Sequence, residues 1–182
     1  MKKQYLAVLL FCLVLVNTSA QNKSTEPTFM EYAASLPALS LPFHTRCYET
    51  LIRAETGHRP ELIEKFSGLD VAYIYGRLFQ SGPYTGIIYL YPGDNVIPVL
   101  VVNDTLGAIR SSLHLSQSYC GESENSWGID FASIRKDYSV RICDTFSLFR
   151  RDHESRILEH TRRNGMKCTD YLFRDGMYKE VR

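Results

Sequence analysis

Four segments with the composition of β-strands follow one another between residues 69 and 115, and they constrain the fold more than any other part of the sequence. They are rich in Val, Ile, Tyr and Phe, and Gly, Pro, Asp and Asn occupy the short stretches between them, as is typical of strands joined by turns. Connections this short join antiparallel neighbours, because a parallel pair needs a long crossover. The predicted strands are residues 71–79, 86–91, 96–102 and 108–115.

The side-chain pattern differs among these four strands. The second and third are apolar on both alternating faces, which predicts burial on both sides of the sheet. In the fourth, apolar and polar residues alternate, as in Ile109-Arg110 and Leu113-His114. One face of that strand is therefore predicted to meet the core and the other to meet water, nearer the margin of the sheet.

Turn residues give the clearest local signals in the rest of the chain. Residues 104–107, Asp-Thr-Leu-Gly, fit a hairpin turn closed by a glycine with positive φ. Near the C-terminus, Asn164-Gly165 and Asp175-Gly176 are both typical of two-residue hairpin turns. They predict a closing three-stranded meander.

Two short helices are predicted before the strands. Thr28 is a candidate N-cap for a helix that Pro37 ends, and a second helix is predicted from Pro60 to Gly68. Residues 28–182 are therefore predicted to form a single, mainly β domain of about nine strands. The predicted architecture is a single antiparallel meander-type sheet, a sandwich or a partly closed barrel, with one or two short N-terminal helices.

The first twenty residues predict export. Lys2 and Lys3 precede an apolar run at residues 5–16, and small side chains follow up to Ala20. This order is typical of a secretory signal peptide, residues 1–20, with cleavage near Ala20. Residues 21–27 are predicted to be a flexible leader, and no later segment approaches the roughly 20 apolar residues of a membrane helix. We therefore expect a periplasmic or secreted protein without a transmembrane segment in the mature chain.

The cysteines are consistent with that location. An even number in an exported chain permits two disulfides, in three alternative pairings, and free buried thiols are the other interpretation. No two of them have the short spacing of a structural zinc site, so no metal is predicted. The four residues beyond the signal peptide are Cys47, Cys120, Cys143 and Cys168.

Charge and motifs argue against several functional classes. Without Lys2 and Lys3, 19 basic residues face 20 acidic ones, a formal charge of −1, whereas nucleic-acid-binding proteins carry a large positive excess. The sequence contains no phosphate-binding glycine loop, so no cofactor is predicted. Ser133 and Lys136 have the Ser-x-x-Lys spacing of penicillin-recognising enzymes, but they lie in a predicted strand and turn rather than on a helix. We assign no catalytic residue.

One enzyme hypothesis rests on the surroundings of Trp127. Residues 116–128 are polar and are predicted to form an exposed loop. Glu122, Glu124 and Asp130 lie near Trp127 in the sequence, and an indole beside carboxylates suits a glycoside hydrolase. The alternative interpretation is a solvated loop whose single Trp caps the core.

The tyrosines of the central strands give the other candidate. Tyr73, Tyr75 and Tyr89 provide area and hydroxyl groups of the kind enriched at recognition surfaces, although tyrosine also packs well in any half-buried sheet. With Trp127, they predict a non-enzymatic binding or interaction module of the cell envelope, with an envelope protein or a glycan as partner. The alternative is a hydrolase of envelope or dietary polysaccharide that uses the carboxylates near Trp127.

Several segments together resemble a group of known sequences. They are the leader ending in Ser19-Ala20-Gln21, Leu41-Pro42-Phe43, Ile74-Tyr75-Gly76-Arg77-Leu78 and the closing Asp175-Gly176-Met177-Tyr178. In these the chain resembles uncharacterised exported β-rich proteins of Gram-negative bacteria. The resemblance implies a β-meander and an envelope location, and it implies no active site.

Overall fold

The computed structural model describes residues 26–47, 54, 57–93, 96–116 and 120–181. The predicted signal peptide and most of the predicted leader lie outside these residues. The described part is mainly β, with two short helices and two antiparallel sheets that do not close into a barrel. In chain order the elements are α1 (Phe29–Ser35), β1 (Phe43–Arg46), α2 (Pro60–Ser67), β2 (Tyr73–Ser81), β3 (Tyr84–Tyr91), β4 (Ile97–Asp104), β5 (Ile109–His114), β6 (Gly121–Glu122), β7 (Ser126–Ile134), β8 (Val140–Arg151), β9 (Ile157–Arg174) and β10 (Met177–Val181).

The predicted meander of four strands is confirmed as one sheet. Its strand order is β2-β3-β4-β5, and β5 lies at its edge, as the alternation of polar and apolar residues predicted. The turn between β4 and β5 also has the predicted form. Gly107 has φ +86°, and its N–H donates to the Asp104 carbonyl at 2.9 Å.

The second sheet has six strands. Its order is β1-β7-β8-β9-β10, and β6 pairs with the edge of β7 that also carries β1. The Asp175-Gly176 hairpin between β9 and β10 is confirmed, with positive φ at both residues.

Both predicted helices are confirmed, and each begins and ends next to the capping residues that the sequence indicated. Thr28 and Glu31 form a reciprocal capping box at the start of α1, which satisfies N–H groups that a helix leaves unpaired. Pro60 lies in the first turn of α2, and Gly68 ends that helix in the left-handed conformation. Among the described residues, neither helix is long or apolar enough to cross a membrane.

Two apolar cores divide the molecule into three layers. The four-stranded sheet lies in the middle, with the helices on one side and the six-stranded sheet on the other. In β3, Ile87 and Tyr89 face the helices, whereas Ile88 faces the second sheet, so the predicted burial of both faces is confirmed.

The prediction of a hairpin turn at Asn164-Gly165 is wrong. β9 runs without interruption through this dipeptide, and Gly165 pairs with Phe146 of β8. A Cβ on Gly165 would lie 2.3 Å from Phe146 Cζ, so the glycine leaves room for the aromatic ring. Gly165 therefore allows close packing between two strands and does not form a turn. In place of the predicted three-stranded C-terminal meander, the chain forms one long strand, β9, followed by β10.

The predicted exposed loop at residues 116–128 is also partly wrong. Its second half folds into a tight hairpin of β6 and the start of β7, in which the Ser123 N–H donates to the Ser126 carbonyl at 2.7 Å. Polar composition suggested a loop, but an edge strand exposed to solvent can be equally polar.

Both disulfides are formed, which decides among the three pairings. Cys47 is joined to Cys120, and Cys143 to Cys168. The first bond links the end of β1 to the start of β6, the two strands that share one edge of β7. The second lies between paired residues of β8 and β9. Two disulfides indicate an oxidising setting outside the cytoplasm.

Candidate functional site

The outer face of the six-stranded sheet is the face directed away from the four-stranded sheet. Side chains alternate along β7, so that Ala132 and Ile134 enter the core whereas Trp127, Ile129 and Phe131 lie on the outer face. This outer face leaves large apolar side chains in contact with solvent. Trp127 is 40% exposed and Met166 of β9 is 65% exposed.

Strand register places four side chains side by side at one end of this face. Glu122 of β6 pairs with Trp127, Trp127 pairs with Ser147 of β8, and Ser147 pairs with Asn164 of β9. Directly opposite residues lie on the same face of a sheet, about 4.5–5.5 Å apart at Cβ. We call these four residues the Trp127 row. The row places an indole between a carboxylate on one side and a hydroxyl and an amide on the other.

Two adjoining cavities open beside the row, and together we call them the Trp127 depression. Their volumes are about 190 Å³ and about 440 Å³. The larger falls within the range of small-molecule sites. Trp127, Ser147 and Arg162 line both cavities. The smaller is completed by Glu122, Phe149 and Ile157, and the larger by Thr145, Phe146, Asn164 and Gly165.

Arg151 fixes the hairpin that carries Trp127. Its guanidinium donates to the Glu124 carbonyl at 2.9 Å and to the Ser155 carbonyl at 2.8 Å, and it forms an ion pair with the Glu122 carboxylate. It also lies 5.1 Å from the centre of the Phe149 ring. One planar side chain thus ties the β6–β7 hairpin to the turn between β8 and β9.

The charges around the depression are paired locally. Besides Arg151 with Glu122, Arg162 contacts Glu159 at 3.1 Å and Arg156 contacts Asp152 at 3.2 Å. The backbone N–H of Arg156 holds the pKa of Asp152 below its usual value, because the N–H stabilises the ionised carboxylate.

Comparisons with protein-family models, with curated proteins and with solved structures find no match to this chain. Its function is therefore inferred from the chemistry of its own surface. Among the described residues, no group of three or more His, Cys, Asp or Glu side chains is placed to hold a metal ion.

The carboxylates predicted to surround Trp127 do not gather there. Glu122 lies in the Trp127 row, and Glu124 lies in the exposed turn of the hairpin. Asp130 is buried on the opposite face of β7, where its carboxylate accepts a hydrogen bond from the Ser116 hydroxyl at 2.6 Å. Within the part of the chain that the structure describes, Glu122 is the single carboxylate lining the Trp127 depression.

The three tyrosines predicted as binding residues lie in the other sheet. Tyr89 is fully buried against the helices, and its hydroxyl lies 3.2 Å from that of Tyr32. Its placement on a recognition surface is therefore corrected. Tyr75 is partly buried with its ring 5.8 Å from that of Phe43, whereas Tyr73 is 40% exposed at the start of β2. None of the three shares a site with Trp127.

Sequence reasoning missed most partners of Trp127. Ser147, Asn164 and Arg162 are distant from it in the chain, and only the pairing of β7, β8 and β9 brings them together. The Asn164-Gly165 dipeptide moreover predicts a turn rather than a site residue. The single Trp and the nearby Glu122 are the signals of this site that the sequence carries.

Proposed function

We propose that this protein is a non-enzymatic binding module of the cell envelope, periplasmic or secreted, and that the Trp127 depression is its contact surface. The observation that carries the proposal is the exposure of the chain's single Trp within a row of hydrogen-bonding side chains on a sheet face. Trp is enriched among the residues that contribute most to binding, because it offers a large apolar area with few rotamers to fix.

The rigidity of the surface supports the proposal. Trp127 lies on β7, which pairs along its length with β8, and Arg151 holds the adjoining hairpin through three acceptors. A surface fixed before binding loses little conformational entropy when a partner arrives. The two disulfides and the predicted signal peptide support the location, and they make an envelope protein or glycan the expected partner.

A comparison of two equally exposed aromatic residues tests the proposal. Binding of the purified protein to immobilised envelope glycans and to fractionated exported proteins is measured for wild type, Trp127→Ala and Tyr73→Ala. Each of the two residues is 40% exposed, but they lie on different sheets. We expect Trp127→Ala to lose binding and Tyr73→Ala to retain it. Binding that survives Trp127→Ala and disappears in Tyr73→Ala would refute the assignment of the surface.

A further inference from the structure

We infer that the ligand of the Trp127 depression is a neutral saccharide, one pyranose ring of which stacks on the Trp127 indole. This inference rests on the proposed binding function and names the class of its ligand. It follows from the exposed ring, the hydrogen-bonding groups beside it and the balance of charge.

The indole supplies the stacking surface. An aromatic face carries a partial negative charge and is apolar, and it therefore attracts flat groups whose polarised C–H bonds point towards it. A pyranose presents such C–H bonds on the faces of its ring, while its hydroxyl groups project from the rim. Trp127 is sufficiently exposed for this contact, and the two cavities beside it leave space for the rims of one or more rings.

Hydroxyl and amide groups next to the indole suit the rim of a sugar. Ser147 and Asn164 follow Trp127 in the row, and Thr145 lines the larger cavity. An amide offers both donors and an acceptor, and a hydroxyl offers one donor and two lone pairs, so they match the mixed character of sugar hydroxyls. The Ser147 hydroxyl is buried without a hydrogen-bond partner among the described residues. A ligand hydroxyl would satisfy it once the side chains that cover it move aside.

The charge balance selects a neutral ligand. Of the charged side chains that line the depression, Glu122 is paired with Arg151, and Arg162 is paired with Glu159. Arg163 pairs with Leu148, which places it on the opposite face of β9. A phosphate or a carboxylate-bearing sugar would therefore meet only cations whose charge a neighbouring carboxylate already balances, whereas a neutral ring needs no cation.

Intrinsic fluorescence reports directly on this contact, because Trp127 is the only tryptophan in the sequence. The protein is titrated with neutral cello-, malto-, xylo- and N-acetylchito-oligosaccharides and with anionic oligogalacturonate, at low and high salt. We expect at least one neutral series to change the emission, with a Kd roughly between micromolar and millimolar and independent of salt.

Four variants locate the contact, with affinity measured by calorimetry. Trp127→Ala should weaken binding about tenfold or more, and Asn164→Ala about fivefold. Ser147→Ala should weaken binding without lowering Tm, because it removes a buried hydroxyl that the fold leaves unpaired. Tyr73→Ala, the matched control, should bind as wild type does.

The inference is overturned if no neutral oligosaccharide binds, including the case in which the anionic one alone binds and salt abolishes its binding. If an exported protein requires Trp127 while no saccharide binds, the saccharide inference falls and the proposed function stands. If no ligand of either class depends on Trp127, both fall.

Discussion

Gly107 and Ser155 occupy the same position in two hairpin turns of the same construction. The Asp104 carboxylate accepts hydrogen bonds from the N–H groups of residues 106 and 108, both at 3.0 Å. The Asp152 carboxylate accepts them from residues 154 and 156, at 2.8 and 2.9 Å. The left-handed residue has φ +86° at Gly107 and φ +62° at Ser155. The second turn thus has a serine in the left-handed conformation, which glycine adopts without strain in the first turn.

Ser155→Gly is expected to raise the free energy of unfolding by about 0.5–1 kcal/mol, because relief of the left-handed strain exceeds the added entropy of the unfolded chain. Urea unfolding measures the change. Gly107→Ala is the reciprocal variant and should destabilise, since its Cβ would also lie 2.7 Å from Phe66 Cε1. An unchanged or lower stability of Ser155→Gly would contradict this account of the turn.

The hydroxyl groups of Tyr32 and Tyr89 lie buried next to each other. Their contributions to the free energy of unfolding are therefore predicted to depend strongly on each other. Burial raises the pKa of Tyr32 to about 12 and raises that of Tyr89 well above its usual value. Tyr89→Phe should cost about 1–3 kcal/mol, because it leaves the Tyr32 hydroxyl buried without this partner. The double variant with Tyr32→Phe should lose less than the sum of the single variants, as measured in a double-mutant cycle. Simple additivity would show that the hydroxyls do not interact.

The ion pair of Asp170 is predicted to contribute to the loss of folding stability at low pH. Its carboxylate accepts two hydrogen bonds from Arg141, both at 2.8 Å, and this pairing lowers its pKa below the usual 3.8. A carboxyl whose folded pKa is lowered stabilises the fold above its unfolded pKa, and this contribution is lost as pH falls through the folded value. Asp170→Asn should therefore be less stable than wild type at pH 7 and equal to it near pH 2, as judged by urea midpoints. Glu180→Gln, on the neighbouring strand β10, is the control, and a difference that persists at pH 2 would exclude the electrostatic explanation.

Among the elements, those defined by local chemistry followed from the sequence. The capping residues predicted both helices, and side-chain alternation with turn residues predicted the four-stranded sheet and the Asp175-Gly176 hairpin. The continuity of β9 did not follow, because Gly165 is explained by the ring of Phe146 and that contact exists only once β8 and β9 are in register. For the same reason the sequence points to Trp127 and to the nearby Glu122, but not to Ser147 and Asn164 of the same row.

The β6–β7 hairpin depends on the geometry of one guanidinium. Arg151 reaches the Glu124 carbonyl, the Ser155 carbonyl and the Glu122 carboxylate at once, and a lysine ammonium has neither the fork nor the reach to hold all three. Arg151→Lys should therefore speed amide hydrogen exchange in the hairpin and shift the Trp127 emission towards that of solvated indole. Arg150→Lys, at the adjacent residue, is the control and should change neither the exchange nor the emission. An Arg151→Lys protein indistinguishable from wild type would show that Arg151 does not hold the hairpin in place.

For the molecule as a whole, the four-stranded sheet is the layer common to both cores. Val99 and Val101 of β4 face the helices, whereas Leu100 and Val102 face the six-stranded sheet, and all four are fully buried. Separation of either outer layer would therefore expose one whole side of β3 and β4 to water. The hydrophobic free energy lost in that step is large, since it scales with the apolar area exposed.

The burial of the four-stranded sheet on both faces determines how the protein unfolds. Neither outer layer can melt alone at small cost, so the described domain should unfold as one cooperative unit, with a single calorimetric peak whose van't Hoff and calorimetric enthalpies agree. The amides of β3 and β4 should be the last to exchange with deuterium, through global opening alone, while those of the hairpin bearing Trp127 exchange through local fluctuations. Rare openings of that hairpin would therefore leave the pairing of β3 with β4 intact.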